Sequence, residues 1–310
     1  MLTTPAKLGA DRCQPSDKSA YPLYGKLELR DEAQLIERPA ASSQSIALRT
    51  RQVEKPWGRR ELPEPFANGT HDKVGEIWFE HPASEELPIL VKYIFTSEKL
   101  SVQVHPDDAQ ARERGLDRGK TECWYVLDAA PGSTLGLGLR EPLSAEEIRA
   151  AALDGSIEQI VDWKPVQPGD FVFVPGGTIH AVGAGISLLE FQQNSDVTFR
   201  LYDYGRPREL HIDDAAAVSH SDFDSKYFKR AGGAEGVLID GHQFSLARAT
   251  RVDDLPSSFA RRQRWVMPLD GTARAGDAEV SAGGCLLVDQ SDDLEFSPSA
   301  VVLVGVEGPL

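Results

Sequence analysis

The segment Leu100-Ser101-Val102-Gln103-Val104-His105 alternates apolar and polar residues. Residues two apart on a strand share a face, so Ser101, Gln103 and His105 project to one side. A hydroxyl, an amide and an imidazole on one strand face do not suit a dry core. They suit the inside of a barrel with a polar, functional lumen. Lys120-Thr121-Glu122 repeats the alternation where the apolar strand ECWYVLDA begins, with Lys120 and Glu122 on one face and Cys123 on the other. Farther on, the apolar run DFVFVP enters a Pro175-Gly176-Gly177 turn, and His180 follows after two residues. The glycines supply the backbone freedom for a tight turn. Taken singly, each histidine reads as an ordinary hydrogen-bonded residue, and Lys120 or Glu122 as a solvated charge at a strand end.

Three more charges interrupt β-rich runs, Lys92 in ILVKYIF, Glu190 in SLLEFQQ and Arg200 in VTFRLYDY, and Arg206 follows as a loop arginine in YGRPR. A carboxylate within an apolar strand needs a partner, and Arg200 or a sugar hydroxyl would serve Glu190. A structural ion pair is an equal reading for it. The apolar flanks of Lys92 set it apart from scattered surface cations. Arg200 alone reads as an arginine on a strand's solvent face.

The elements that position these residues are mostly strands. EIWFE (76–80), ILVKYIF (89–95), LSVQVH (100–105), ECWYVLDA (122–129), STLGLGL (133–139), DFVFVP (170–175), ISLLEFQQ (186–193) and VTFRLYDYG (197–205) carry the β pattern. TSEK (96–99) reads as a hairpin connection and PGS as a turn. DDAQARERG (107–115) and LSAEEIRAAALDG (143–155) have helix cap chemistry at both ends, with Ser144 and Glu147 as a capping box. HIDDAAAVS (211–219) reads as a further helix. Short strands follow: GVLI, QFSLARA, RWVMPL, CLLVD and AVVLVGV. Residues 1–46 lack sustained periodicity and read as a flexible extension, with one weak helical stretch, LRDEAQLIE. Many short strands and few helices predict a mainly β sandwich or barrel.

The 310 residues carry 33 Lys+Arg against 48 Asp+Glu, a formal charge of −15. That balance argues against nucleic acid and anionic membrane surfaces as partners. Three scattered cysteines, Cys13, Cys123 and Cys285, form no disulfide framework. With no apolar leader or membrane-length run, the expectation is a cytoplasmic globular protein that acts on or binds a small molecule.

The spacing Gly169-x5-Pro175-x-Gly177-x2-His180 fits the second sequence motif of the cupins, although Ala184 stands where an Asn often follows. EKLSVQVHPDD, GKTECWYVL, PGGTIHAVGAG and FRLYDYGRPREL, in this order, resemble the class I, zinc-dependent mannose-6-phosphate isomerases in their short bacterial form. The resemblance is strong over about residues 50–220 and weak beyond. It implies a cupin jelly roll over 47–235 and a smaller, degenerate C-terminal β module over 236–310. Gln103 replaces the first histidine of the usual His-x-His, and the inserted helix displaces the acidic ligand to Glu122, as in that family.

By that resemblance Gln103, His105, Glu122 and His180 hold one zinc ion. Zinc accepts imidazole nitrogens and carboxylate oxygens and keeps a position open when catalytic. One carboxylate against Zn2+ leaves the site at +1, suited to an anionic substrate. Arg200 is implied as the catalytic arginine, stabilising enediolate charge without titrating. Lys120, Glu190 or a zinc-bound water is the acid/base. Lys92 and Arg206, with the Ser101 hydroxyl, are candidate phosphate contacts. Lys55-Pro56-Trp57-Gly58 reads as structural, and Phe171, Phe173 and Phe191 as core. The implied reaction interconverts mannose 6-phosphate and fructose 6-phosphate through a cis-enediol, with no protein partner. A different cupin enzyme, such as a metal dioxygenase or another phosphosugar isomerase, and a non-catalytic sugar-binding cupin are the alternatives. Dioxygenases favour several histidines around iron, whereas Gln103 and Glu122 argue for a redox-inert ion.

Overall fold

The computed structural model describes residues 44–67, 72–232 and 236–310; LRDEAQLIE lies outside them. Ser42–Leu310 forms one compact unit. Its strands pair into four antiparallel sheets that stack in layers. The largest runs Phe228–Lys229, Phe171–Val174, Glu122–Ala129, Ile186–Gln193, Ile89–Phe95, Val74–Glu80, Arg49–Arg59. Facing it is a five-stranded sheet ordered Phe199–Tyr202, Val102–Val104, His180–Val182, Thr134–Leu139, Val161–Pro165.

The period of two along the strands assigns the layers. Ile89, Val91, Tyr93 and Phe95 point to a core that includes Phe173, Phe191, Trp265 and Leu303. Lys92 and Ile94 point the other way, toward the five-stranded sheet, where Ile94, Trp124, Val126, Leu135 and Leu137 pack together. Phe171, Phe173, Phe191 and Cys123 thus belong to the core behind the large sheet, and Trp57 is buried at its edge. The outer face of the small sheet is covered by the helices Ala145–Asp154 and Ile212–Val218, through Ile148, Ala151, Ala152, Ala215 and Val218.

Behind the large sheet lies a six-stranded sheet, in which Ile46–Ala47 pairs with Leu286–Val288. A three-stranded sheet of Ala278–Ser281, Thr272–Ala275 and Leu294–Phe296 closes a second sandwich over Val266, Leu286, Val302 and Val304.

The helices begin and end where their caps predict. Asp107 caps Asp108–Glu113 in a box with Gln110. Ser144 caps Ala145–Asp154 in a box with Glu147, and Gly155 ends it at φ 82°. The expected hairpin at TSEK is corrected. Ile89–Phe95 and Val102–Val104 do not pair; they lie in opposite sheets, and 96–99 crosses the edge of the sandwich. The Thr96 hydroxyl donates to the Gly183 carbonyl, and the Ser97 amide donates to the Trp57 carbonyl. Those bonds turn the chain over the corner instead of back along the same sheet.

Candidate active site

Two rows of side chains face each other across the first sandwich. In the small sheet, Arg200, Gln103 and His180 occupy paired positions on adjacent strands, so they share a face. In the large sheet, Trp124, Glu190, Lys92 and Trp78 form a continuous cross-strand row. Lys120 and Glu122 enter the same space from the start of Glu122–Ala129.

Glu122 stands between the two imidazoles. Its Oε2 is 3.4 Å from His105 Nε2, and its Oε1 is 3.4 Å from His180 Nε2. One ligand atom from each of His105, Glu122 and His180 lies within 4.8 Å of the others, and all three residues are buried. The donor set fits a metal ion. His180 Nδ1 lies 2.9 Å from the Thr178 carbonyl, which only accepts, so Nδ1 carries the proton and Nε2 keeps a free lone pair. Burial, with the Lys120 ammonium nearby, pushes His105 down to about 3, and burial likewise lowers His180. Both rings are therefore neutral, as ligands must be. Burial opposes the Glu122 charge, but the Lys120 ammonium holds its carboxyl well below the usual range.

Gln103 reaches the cluster with its amide nitrogen 3.2 Å from His180 Nε2, while its oxygen accepts from the Ser101 hydroxyl at 2.9 Å. A half-turn of the amide exchanges those two atoms. Lys120 Nζ is 3.0 Å from both His105 Nε2 and Glu122 Oε2, and 4.0 Å from Glu190 Oε1. Glu190 accepts from Lys92 Nζ at 2.9 Å and from the Trp124 indole at 3.1 Å. Burial and the neighbouring Glu122 charge raise the Glu190 carboxyl despite both lysines. Burial disfavours the Lys92 ammonium, yet Glu190, Glu76 and Glu122 outweigh it and raise Lys92.

Arg200 is half-buried, and its Nε has no hydrogen-bond partner among the described residues. Arg206 is held apart from the His–Glu–His cluster. Its Nη2 donates to the Lys99 carbonyl at 2.6 Å and lies 3.0 Å from Asp203 Oδ1. Arg208 closes on both oxygens of the same Asp203. The structure thus brings Ser101, Gln103, His105, Lys120, Glu122, His180, Glu190 and Lys92 into one contact network. Arg200 shares the face, and Arg206 sits on the adjoining loop.

Glu76 and Trp78 were not singled out from the sequence. In EIWFE they alternate with Ile77 and Phe79, a pattern that looks like a solvated strand face. In the fold that face lines the lumen, and Glu76 is 6% exposed. Its Oε2 accepts from Trp78 Nε1 at 2.7 Å and lies 3.4 Å from Lys55 Nζ. The only available signal was a tryptophan on the polar side of the alternation.

Fold and site together define a cupin-type β-sandwich with a buried His/Glu/His group fit for a metal. No family model matches the sequence. The chain is 44% identical to a mannose-6-phosphate isomerase of Streptococcus mutans, over 49% of this chain and 52% of that protein. It is 41% identical to the probable mannose-6-phosphate isomerase GmuF of Bacillus subtilis, over 59% of this chain and 62% of that one. The alignment thus spans about half the length of the Streptococcus relative. The crystal structure of a Bacillus subtilis mannose 6-phosphate isomerase matches with TM-score 0.67 and 26% identity, covering 84% of this chain and 99% of that one. The chain is thus similar in sequence over about half its length, and in fold over most of it, to proteins named as mannose-6-phosphate isomerases.

Proposed function

We propose that the chain reversibly interconverts mannose 6-phosphate and fructose 6-phosphate. The observation that carries this reading is the buried network that joins a His/Glu/His donor set to two lysines and a raised carboxyl. An acidic chain that takes an anionic substrate needs a local inversion of sign; Lys92, Lys120 and Arg200 balance the lumen carboxylates Glu76, Glu122 and Glu190, and a bound divalent ion would supply the positive excess. Its relatives from Streptococcus mutans and Bacillus subtilis are named for the same substrate. The reading places the chemistry in residues 47–235 and gives 236–310 a supporting role.

His105, Glu122 and His180, with Gln103 after its amide turns, would hold one zinc ion. When bound, zinc polarises and orients sugar oxygens. The chain's own groups handle the rest. The open-chain aldose loses a proton from the carbon beside its carbonyl, and the resulting cis-enediol is reprotonated on the neighbouring carbon. Glu190 and Lys120, 4.0 Å apart, are the groups that move this proton. A raised Glu190 is a stronger base than an ordinary carboxylate and is already desolvated. Arg200 offers a buried, unpaired N–H to the developing enediolate oxygen without giving up its proton. Lys92 holds substrate charge, and Arg206 with Ser101 receives the phosphate end.

The test is a coupled assay of fructose 6-phosphate formation on metal-depleted and zinc-restored protein. Activity absent after depletion and regained with zinc is expected. Activity missing from both samples, or indifferent to zinc, overturns the reading.

A further inference from the structure

Lys92 does not stand alone on its strand face. Its cross-strand neighbour is Trp78, and the ammonium sits 5.6 Å from the centroid of the indole, within reach of the ring's negative face. The indole is itself fixed. Its Nε1–H donates to Glu76 Oε2 at 2.7 Å, and the Arg51 guanidinium lies 4.6 Å from the ring centroid. Glu76 is buried and anchored in turn by Lys55 at 3.4 Å. Burial alone would raise the Glu76 carboxyl, but Lys92, Lys55 and the indole N–H hold it below the usual range. A chain of contacts therefore runs from Lys55 through Glu76, Trp78 and Lys92 to Glu190. An indole free to rotate about its side-chain torsions would withdraw its face from the ammonium and leave the Glu190 pair at 2.9 Å as the contact that sets the Lys92 position.

We propose that Glu76 is a positioning residue that orients Lys92 for the anionic substrate by locking the Trp78 indole through its Nε1–H. The inference rests on the phosphosugar reading of the site and deepens it. Glu76 touches no reacting atom in this scheme. It acts on binding, so its loss should appear in KM rather than in kcat.

The test compares Glu76→Ala, Glu76→Gln and Trp78→Phe, each with mannose 6-phosphate and zinc-loaded protein. Glu76→Ala and Trp78→Phe are expected to raise KM about tenfold, the size a desolvated cation–π contact carries, with kcat within about threefold. Glu76→Gln keeps an oxygen acceptor for the indole and is expected to stay within about threefold of the parent KM. The double variant Glu76→Ala/Trp78→Phe should be no worse than the poorer single, because both remove the same contact. Trp78→Phe keeps the test open if Glu76→Ala folds poorly. A Glu76→Gln variant as impaired as Glu76→Ala, a fall in kcat without a change in KM, or multiplicative losses in the double variant overturns the proposal. Calorimetric binding of mannose 6-phosphate to the same proteins separates the two readings. A parent that binds the sugar without converting it fails the isomerase reading, while the ratio of variant to parent Kd still decides the role of Glu76.

Discussion

Across the large sheet the lumen row reads Trp124, Glu190, Lys92, Trp78; across the six-stranded sheet the paired row reads Val266, Val304, Ala247. Both rows lie inside a two-sheet sandwich, and both are buried apart from the partly exposed Trp78. The second is filled with methyl groups, and its surroundings are Leu286, Val288, Val302 and Val306. The first is filled with charges. Burying an ion pair costs several kcal/mol of desolvation per ion, and an apolar replacement of similar volume is often neutral or stabilising. The C-terminal sandwich closes its central row without charge; its one buried cation in the strand, Arg264, lies at the strand's start and donates to the Asp289 and Asp292 carbonyls. Packing alone therefore does not call for the Lys92–Glu190 pair at the centre of the first sandwich, in keeping with the proposed chemical role.

The largest expected effect comes from importing the charge into the dry sandwich. Val304→Glu places a carboxylate at a fully buried position with no cationic partner in the Val266–Val304–Ala247 row. It should cost on the order of 4 kcal/mol, read as a shift in denaturant midpoint. A tolerated Val304→Glu would show that the second core is wet after all. The converse exchange, Lys92→Met with Glu190→Gln, removes both ions and keeps an acceptor for the Trp124 indole. Stability should hold or rise by about 1–4 kcal/mol while turnover disappears. A large loss of stability would mean that the ion pair holds the fold and would erase the contrast between the rows. The smallest effect is expected outside both cores. Gly155→Ala puts a Cβ on a left-handed residue, 3.3 Å from the Tyr202 ring, and should cost about 1 kcal/mol without changing KM.

Much of the site was legible because its residues alternate with apolar ones at a spacing of two. Ser101, Gln103 and His105, and likewise Lys120 and Glu122, could be assigned to one face before any sheet was known. Cap chemistry fixed the helices, since Asp107, Ser144 and Gly155 act within one turn. What failed depends on contacts distant in sequence. The TSEK segment offers the residues of a hairpin, yet Thr96 and Ser97 bond to Gly183 and Trp57, which no local pattern reveals. Glu76 was passed over for the same reason: alternation gives two faces but not which one meets water. The strand Val161–Pro165 carries no local signal either: VDWKP is half polar, and its edge position in the small sheet makes it β.

The two glycines beside Asp107 have a consequence for how this protein tolerates change. A Cβ on Gly119 would stand 2.5 Å from the Pro106 carbonyl oxygen, and one on Gly176 would stand 2.7 Å from Asp107 Cα. The Lys120 amide donates to the Pro106 carbonyl at 3.0 Å, and the Gly177 amide to the His105 carbonyl at 2.7 Å. Three stretches of backbone thus cross at one point, directly beside His105, Lys120 and the turn leading to His180. The excursion over 109–118 leaves this crossing and returns to it. Its length beyond the helix is insulated from the ligand atoms, because closing a longer loop between fixed ends costs little, while Gln110 and the buried Ala111 stay tied to the crossing. Insertions belong after the helix, near residues 115–117, while the crossing itself has no room for a Cβ at Gly119 or Gly176.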